Sequence, residues 1–220
     1  MKKFLPLLAL LALLPSTNQA QNLQFKVGGG LASHYSDAKA VGAFKIGIGY
    51  EIEFDQHWTF TPTLSVYAKG WKDKDQVVPN LDEDGEQMVD EDTGELLTSV
   101  RTRSASANYI EVPLLFSYYL RTAESHYVVF SAGPYLAVGI SGKRKTHGDG
   151  EASESRKLYY DEKTFNLSGV NRFDAGIQAM VGYQFPSGFT LGIEADFGVL
   201  KFSDDGARNL AGLISLGYKL

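Results

Sequence analysis

The 220-residue chain contains no cysteine. No disulfide framework is therefore possible, and the fold must rest on packing and backbone pairing. Long apolar runs are missing too. The longest uncharged apolar stretch, residues 4–14, covers eleven positions, whereas a helix needs about 20 to span a bilayer. Excess positive charge is also absent, because 21 basic residues face 26 acidic ones for a formal net charge of −5. That balance argues against a nucleic-acid partner held through its phosphates. Histidine is sparse at four residues and proline at seven. No phosphate-binding glycine loop, zinc motif or nucleotide fingerprint is found. What the chain has in quantity is glycine, 23 residues, and aromatics, 12%, a composition neither disordered nor fibrous.

The N-terminus reads as an export signal. Lys2 and Lys3 precede the apolar run, and Asn18-Gln19-Ala20 supplies a small-residue end. This three-part layout predicts a secretory signal peptide over 1–20 with cleavage after Ala20, leaving a domain over 21–220.

Period-two alternation dominates the rest, as expected of strands. Ile110, Val112, Leu114, Phe116, Tyr118 and Leu120 share one face, with Tyr109, Glu111, Pro113, Leu115, Ser117 and Tyr119 on the other. Phe173, Ala175, Ile177, Ala179, Val181, Tyr183 and Phe185 alternate with Asp174, Gln178 and Gln184 in the same way. Eight strands are predicted, near 22–33, 40–54, 58–71, 105–120, 127–142, 170–185, 189–202 and 208–220. Short links at 55–57, 121–126 and 186–188 alternate with longer ones, chiefly 72–104 and 143–169. An up-and-down meander then collects the short turns at one end and the long loops at the other. Barrels of the bacterial outer membrane have that asymmetry. The expected fold is all-β, an eight-stranded antiparallel up-and-down transmembrane β-barrel.

Volume decides which face points inward. An eight-stranded barrel has room inside only for side chains. One face carries Phe44, Ile46, Ile48, Trp58, Leu64, Ile193 and Ile214, while the other is rich in glycine. The bulky apolar face therefore points to lipid. A soluble, lipocalin-like barrel would need the reverse. The inward face also holds Lys26, Lys45, Glu51, Glu53, Lys69, Glu111, Asp174, Glu194, Asp196 and Lys219. Charges of both signs in a narrow lumen are expected to pair. Glu51, Glu111, Tyr135, Asp174, Glu194 and Asp196 form the expected lumen polar network, with Glu111 opposite Tyr135. Phe54, Trp58, Tyr118, Phe185, Phe189 and Tyr218 cluster by the short turns as one interfacial girdle.

These residues carry a family resemblance. The strand Tyr109-Ile110-Glu111-Val112-Pro113-Leu114-Leu115, the segment Arg172-Phe173-Asp174-Ala175-Gly176 and the closing Gly217-Tyr218-Lys219-Leu220 resemble the small outer-membrane barrels of Bacteroidota, the PorT-like group. The resemblance spans the mature chain and departs at Leu220, where most such barrels end in an aromatic residue. It implies insertion by the outer-membrane assembly machinery of a Gram-negative bacterium.

The loops hold the remaining candidates. Asn80, Asp82, Asp84, Gly85 and Glu91 match calcium-loop spacing at positions one, three, five, six and twelve. Asn80 stands where Asp is usual, and Gln87 where an apolar residue is. A solvated acidic hairpin prolonging strands three and four is the preferred reading over calcium, and no other cofactor is expected. Lys143, Arg144 and Lys145 form a basic patch able to meet lipopolysaccharide phosphates or the acidic loop. Of the histidines, His57 and His126 fall at short turns. His34 lies near Ser33, Ser36 and Asp37, or within reach of a metal shared with His147, without supporting spacing. The reading is a non-enzymatic, monomeric barrel with a filled lumen, partnered by outer-membrane lipid and lipopolysaccharide, whose outer loops serve surface interaction or envelope integrity. A narrow ion or proton pore and a loop-based hydrolase or acyl-transfer enzyme are the alternatives.

Overall fold

The computed structural model describes residues 22–35, 38–82, 84–148, 162–204 and 206–220; the expected signal peptide lies outside them. Eight strands form the wall: β1 (Leu23–His34), β2 (Val41–Tyr50), β4 (Trp58–Lys72), β6 (Thr98–Ala123), β7 (His126–Ser141), β10 (Phe173–Gln184), β11 (Phe189–Gly198) and β12 (Asn209–Lys219). Each pairs antiparallel with its neighbour in sequence, and β1 pairs β12 from Gln24↔Lys219 to His34↔Asn209. That last ladder closes the sheet into a ring without an exposed edge. The short β3 (Ile52–Glu53) continues β2 past Glu51 and pairs β4.

The alternation resolves as the volume argument requires. Phe44 and Ile46 are 51% and 52% exposed, while Lys45 between them is 3% exposed. Large apolar side chains thus cover the outside of every wall strand. Inside, alanine and tyrosine pack with the charged groups, Tyr67, Tyr109 and Tyr135 being fully buried.

Strand lengths are unequal. β2, β10, β11 and β12 have 10–12 residues, about what a tilted membrane strand needs. β6 runs for 26 residues and carries structure beyond the wall. There β5 (Gln76–Pro79) and β8 (Lys143–Gly148) pair with its first residues, and β9 (Glu162–Lys163) pairs β8. The two long links read from the sequence as loops are therefore partly sheet. In the first, isolated bridges Leu81↔Gln87 and Val89↔Leu96 continue the acidic hairpin.

At the opposite end one turn is tighter than the sequence suggested, and the other two, 54–57 and 185–188, are each one residue longer. β6 continues to Ala123 and β7 begins at His126, leaving two residues, of which Ser125 has φ 58°. Gly188 closes the turn between β10 and β11 at φ +86°, where its N–H donates to Phe185 O at 3.0 Å. A side chain there would be strained. The ladder between β6 and β7 lapses over residues 114–115 and 133–134, next to Pro113 and at Pro134, which have no N–H to donate.

Candidate functional site

The lumen is the most chemically loaded part of the molecule. Alternation along five strands delivers its groups: Lys45 from β2, Lys69 from β4, Glu111 from β6, Asp174 from β10, and Glu194 and Asp196 from β11. Lys45 Nζ lies 2.7 Å from Glu111, 2.6 Å from Glu194 and 3.2 Å from Asp196. Lys69 Nζ lies 2.8 Å from Asp174 and 3.8 Å from Glu111. Lys26 of β1 pairs with the other oxygen of Glu194. Glu111 is thus shared between Lys45 and Lys69, and Glu194 between Lys45 and Lys26.

Aromatic rings complete the cage. Lys45 sits 4.5 Å and Lys69 4.9 Å from the Tyr67 ring centre, and Lys69 also lies 4.6 Å from that of Tyr109. Ring faces stabilise ammonium groups that have lost water. The Tyr135 hydroxyl donates to Asp174 at 3.2 Å, and Asn209 Nδ2 donates to the same oxygen at 2.8 Å.

The expected Glu111–Tyr135 pair is corrected here. Glu111 faces Ala137 and Tyr135 faces Pro113 in the ladder, one diagonal step away. Strand β6 gains one residue at the register shift between Arg121 and Ala123, which counting from the turn cannot supply. Tyr135 instead reaches Asp174 on the other neighbouring strand. Glu51 is separated from the other five network residues. It accepts hydrogen bonds from Tyr119 Oη at 2.6 Å and Gln24 Nε2 at 2.5 Å, and pairs with Lys219, which also meets Glu53 at 2.8 Å. This second cluster borders a cavity of about 60 Å³ at the short-turn end, lined by polar groups such as Thr61, Ser117, Ser131 and Ser215.

Above the cage, at the long-loop end, the lumen is capped by rings. His34 stacks on Trp71 at 4.2 Å, Trp71 meets Phe202 edge-on at 4.6 Å, and Phe165 meets Tyr109 edge-on at 5.5 Å. Phe165 comes from the 3₁₀ turn Thr164–Asn166 and Phe202 from the link between β11 and β12. Sequence reasoning missed both: Phe165 is a lone phenylalanine in a polar link with no periodicity to mark it, and Phe202 was expected as the last residue of a strand that in fact ends at Gly198. The available signal was Gly139: a Cβ there would strike the Phe165 ring. His34, read as a loop residue, is the buried last residue of β1. Ser36 and Asp37 lie outside the described residues, as does the side chain of His147.

The calcium-spaced residues are not gathered around a common centre. Asn80 is buried and accepts a hydrogen bond from Ser99. Asp82 Oδ1 accepts from the backbone N–H of Asp84 at 3.0 Å and of Glu86 at 2.8 Å. Glu91 and Asp84 are exposed on different turns of the hairpin. Among the described residues no three acidic or histidine side chains form a metal-sized group.

A closed antiparallel ring, apolar outside and charged inside, requires an apolar solvent. A family model described as the outer membrane protein beta-barrel domain matches residues 17–204. The chain belongs to that family. Its place is therefore the outer membrane, and its girdle aromatics, such as Trp58 against Tyr118 at 5.0 Å and Phe189 against Tyr218 at 4.7 Å, stand at the short-turn interface. Among solved structures, the family barrel is similar to the attachment invasion locus protein Ail of Yersinia pestis, at 12% identity and TM-score 0.41, over 90% of this chain and 97% of that one. Neisserial surface protein A matches at 10% identity and TM-score 0.42, over 90% and 96%. The outer membrane enzyme PagL matches at 10% identity and TM-score 0.40, over 89% and 99%. No curated protein matches the chain.

Proposed function

We propose that this barrel is a non-conducting, non-enzymatic outer-membrane protein that works through its outer surface. The observation that carries the reading is the double obstruction of the lumen. The Lys45–Lys69 cage crosses it at mid-height, and the His34–Trp71–Phe202–Phe165 rings cover the end above. A path for solute would have to separate ion pairs held in a low-dielectric interior, which is costly. Against a catalytic role, His34 is engaged in ring stacking, and His126 Nδ1 is bonded to the Tyr183 hydroxyl at 2.8 Å at the short-turn end. The test is planar-bilayer recording of the purified, folded chain. Background conductance is expected, and resolved single-channel steps would overturn the reading.

Three further elements belong to this proposal. The leader over 1–20 is removed after Ala20, which N-terminal mass analysis of the outer-membrane form would check. Insertion is by the outer-membrane assembly machinery, as a monomer. The PorT-like placement within the family rests on the Tyr109–Leu115 and Arg172–Gly176 motifs and carries no assignment to a secretion system.

A further inference from the structure

The hairpin that leads from β5 into β6 carries an apolar face away from the membrane. Along β6 the odd positions turn inward, as buried Ser99, Ala105 and Ala107 mark, and the even ones outward. Val77 stands opposite Val100 and Pro79 opposite Thr98 in the β5–β6 ladder. Both therefore share the outward face, as does Leu96, two residues before Thr98. Val89 lies opposite Leu96 in an isolated bridge. Val77 is 70% exposed, Leu96 61% and Val89 48%. Lipid does not cover them. Between this face and Ile110 of the wall, the outward positions of β6 are Thr102, Ser104, Ser106 and Asn108, which sets the face about 30 Å farther along the strand.

The charge around that face is of one sign. From residue 75 to residue 100 the chain has nine acidic residues and no Lys, Arg or His. Asp75 pairs with Lys39 at 2.8 Å, whereas no described acid from Asp82 to Glu95 is in an ion pair. These acids are thus not matched by the basic patch at 143–145, the partner within the chain that the sequence allowed. Backbone bonds fix where they stand. Asn80 N–H donates to Leu97 O at 3.0 Å, Met88 N–H to Asn80 O at 2.8 Å and Leu97 N–H to Met88 O at 2.9 Å, tying both acidic turns to the sheet. Asp82 and Asp90 each hold their own turn through Oδ1, while Asp84, Glu86, Glu91, Asp92 and Glu95 face solvent.

A surface that docks here has to bring apolar groups to the face and positive charge to its rim. Phospholipid, lipopolysaccharide and nucleic acid are polyanionic surfaces and fail on charge. A small cation leaves the apolar face in water. We propose that this hairpin docks a cationic polypeptide whose apolar side chains cover Val77, Val89 and Leu96 while its Lys and Arg groups meet the acids between Asp82 and Glu95. The acids are already in place before binding, which lowers the ordering cost. The proposal rests on the reading of a barrel that works through its outer surface and names the chemistry of the partner. The two fail separately, because conductance tests the lumen and peptide binding tests the hairpin.

The chain has no cysteine, so Thr93→Cys gives a single labelling position in the second acidic turn. An environment-sensitive dye there reports docking on the folded, full-length barrel in neutral detergent. The probes are synthetic peptides of equal length that alternate Lys with Val, Lys with Ser, and Glu with Val. The Lys–Val peptide is expected to bind roughly tenfold or more tighter than the Lys–Ser peptide and to weaken with salt, and the Glu–Val peptide not to bind. Asp84→Asn/Glu86→Gln/Glu91→Gln/Glu95→Gln, which spares the turn-holding Asp82 and Asp90, should weaken the Lys–Val peptide by a similar factor and flatten its salt dependence. Val77→Ser/Leu96→Ser should bring the Lys–Val peptide down to the level of Lys–Ser, whereas Glu124→Gln, in a turn at the opposite end, should change neither. Heat-modifiable gel migration confirms that each variant is folded, and should the charge variant not fold, the apolar pair carries the test. Equal binding of the Lys–Val and Lys–Ser peptides, or undiminished binding by either folded variant, would overturn the proposal.

Discussion

Two lysines of the lumen hold carboxylates in different surroundings, and the contrast shows what burial does to an ion pair. Lys45 has a side chain 3% exposed and meets three carboxylates whose side chains are 0–3% exposed. Lys219 is 23% exposed, and one of its two partners, Glu53, is 57% exposed. Water can replace Glu53 at little cost, and buried Glu51 keeps its hydrogen bonds from Tyr119 and Gln24 when Lys219 leaves. Water cannot replace Lys45, because Glu111, Glu194 and Asp196 come from two strands across the lumen and cannot withdraw from it; Lys69 and Lys26 share the first two, and Asp196 is left to Lys45. The same pairing chemistry is therefore structural at mid-height and weakly held at the short-turn end.

The largest effect that breaks the contrast is expected from Lys45→Ala. It removes the ion pair of buried Asp196 and leaves Glu111 and Glu194 with one lysine each, and should cost about 3–5 kcal/mol, read as a lowered urea midpoint for unfolding in detergent. Adding Glu194→Gln should recover part of that loss, since the two sites are in contact and their effects are not additive. Full additivity would mean that the pair is not coupled.

The next effect tests the lid rather than the cage. Gly139→Val drives a side chain into the Phe165 ring, and overpacking of this kind costs about 1–3 kcal/mol. Protease cutting of the Phe165 segment should rise. Conductance should stay at background, because the cage still closes the lumen.

Lys219→Ala is expected to cost about 1 kcal/mol or less, in the same unfolding assay. A loss as large as that of Lys45→Ala would erase the distinction drawn between the clusters.

The smallest effect is one of pH, outside the wall. Asp55 in a short turn is held below the ordinary carboxylate range by the backbone N–H groups of His57 and Trp58, and Asp90 in the acidic hairpin by those of Thr93 and Asp92. A depressed folded value means that these bonds support the turns at neutral pH and fade as pH falls through that value. Amide exchange at His57, Trp58, Asp92 and Thr93 should therefore quicken on acidification while exchange in β10–β12 does not. Asp55→Asn should remove the pH dependence at His57 and Trp58.

Much of this architecture was legible in the chain because it depends on patterns that repeat. Alternation located all eight wall strands, with ends within a few residues save at the start of β6, which begins at Thr98 rather than 105. That strand departs because its first residues, Ser99-Val100-Arg101-Thr102-Arg103, are polar beyond the membrane and lack an apolar face. Glu111, Asp174, Glu194 and Asp196 were legible as lumen charges for the same reason: each sits between outward apolar residues. Their partners were not legible. A lysine from β2 meets Glu111 of β6 and two acids of β11 through the centre of the barrel, a relation that no ladder register contains.

The sequence by itself determined the ring of strands and the direction of its faces, since a period of two and the volume of a narrow lumen leave one arrangement that excludes large apolar groups from the inside. Only the tertiary structure decided which charges share a carboxylate and which loop phenylalanines turn in to cover the mouth. Those outcomes depend on distances across the barrel between residues far apart in the chain, and local pattern holds no record of them.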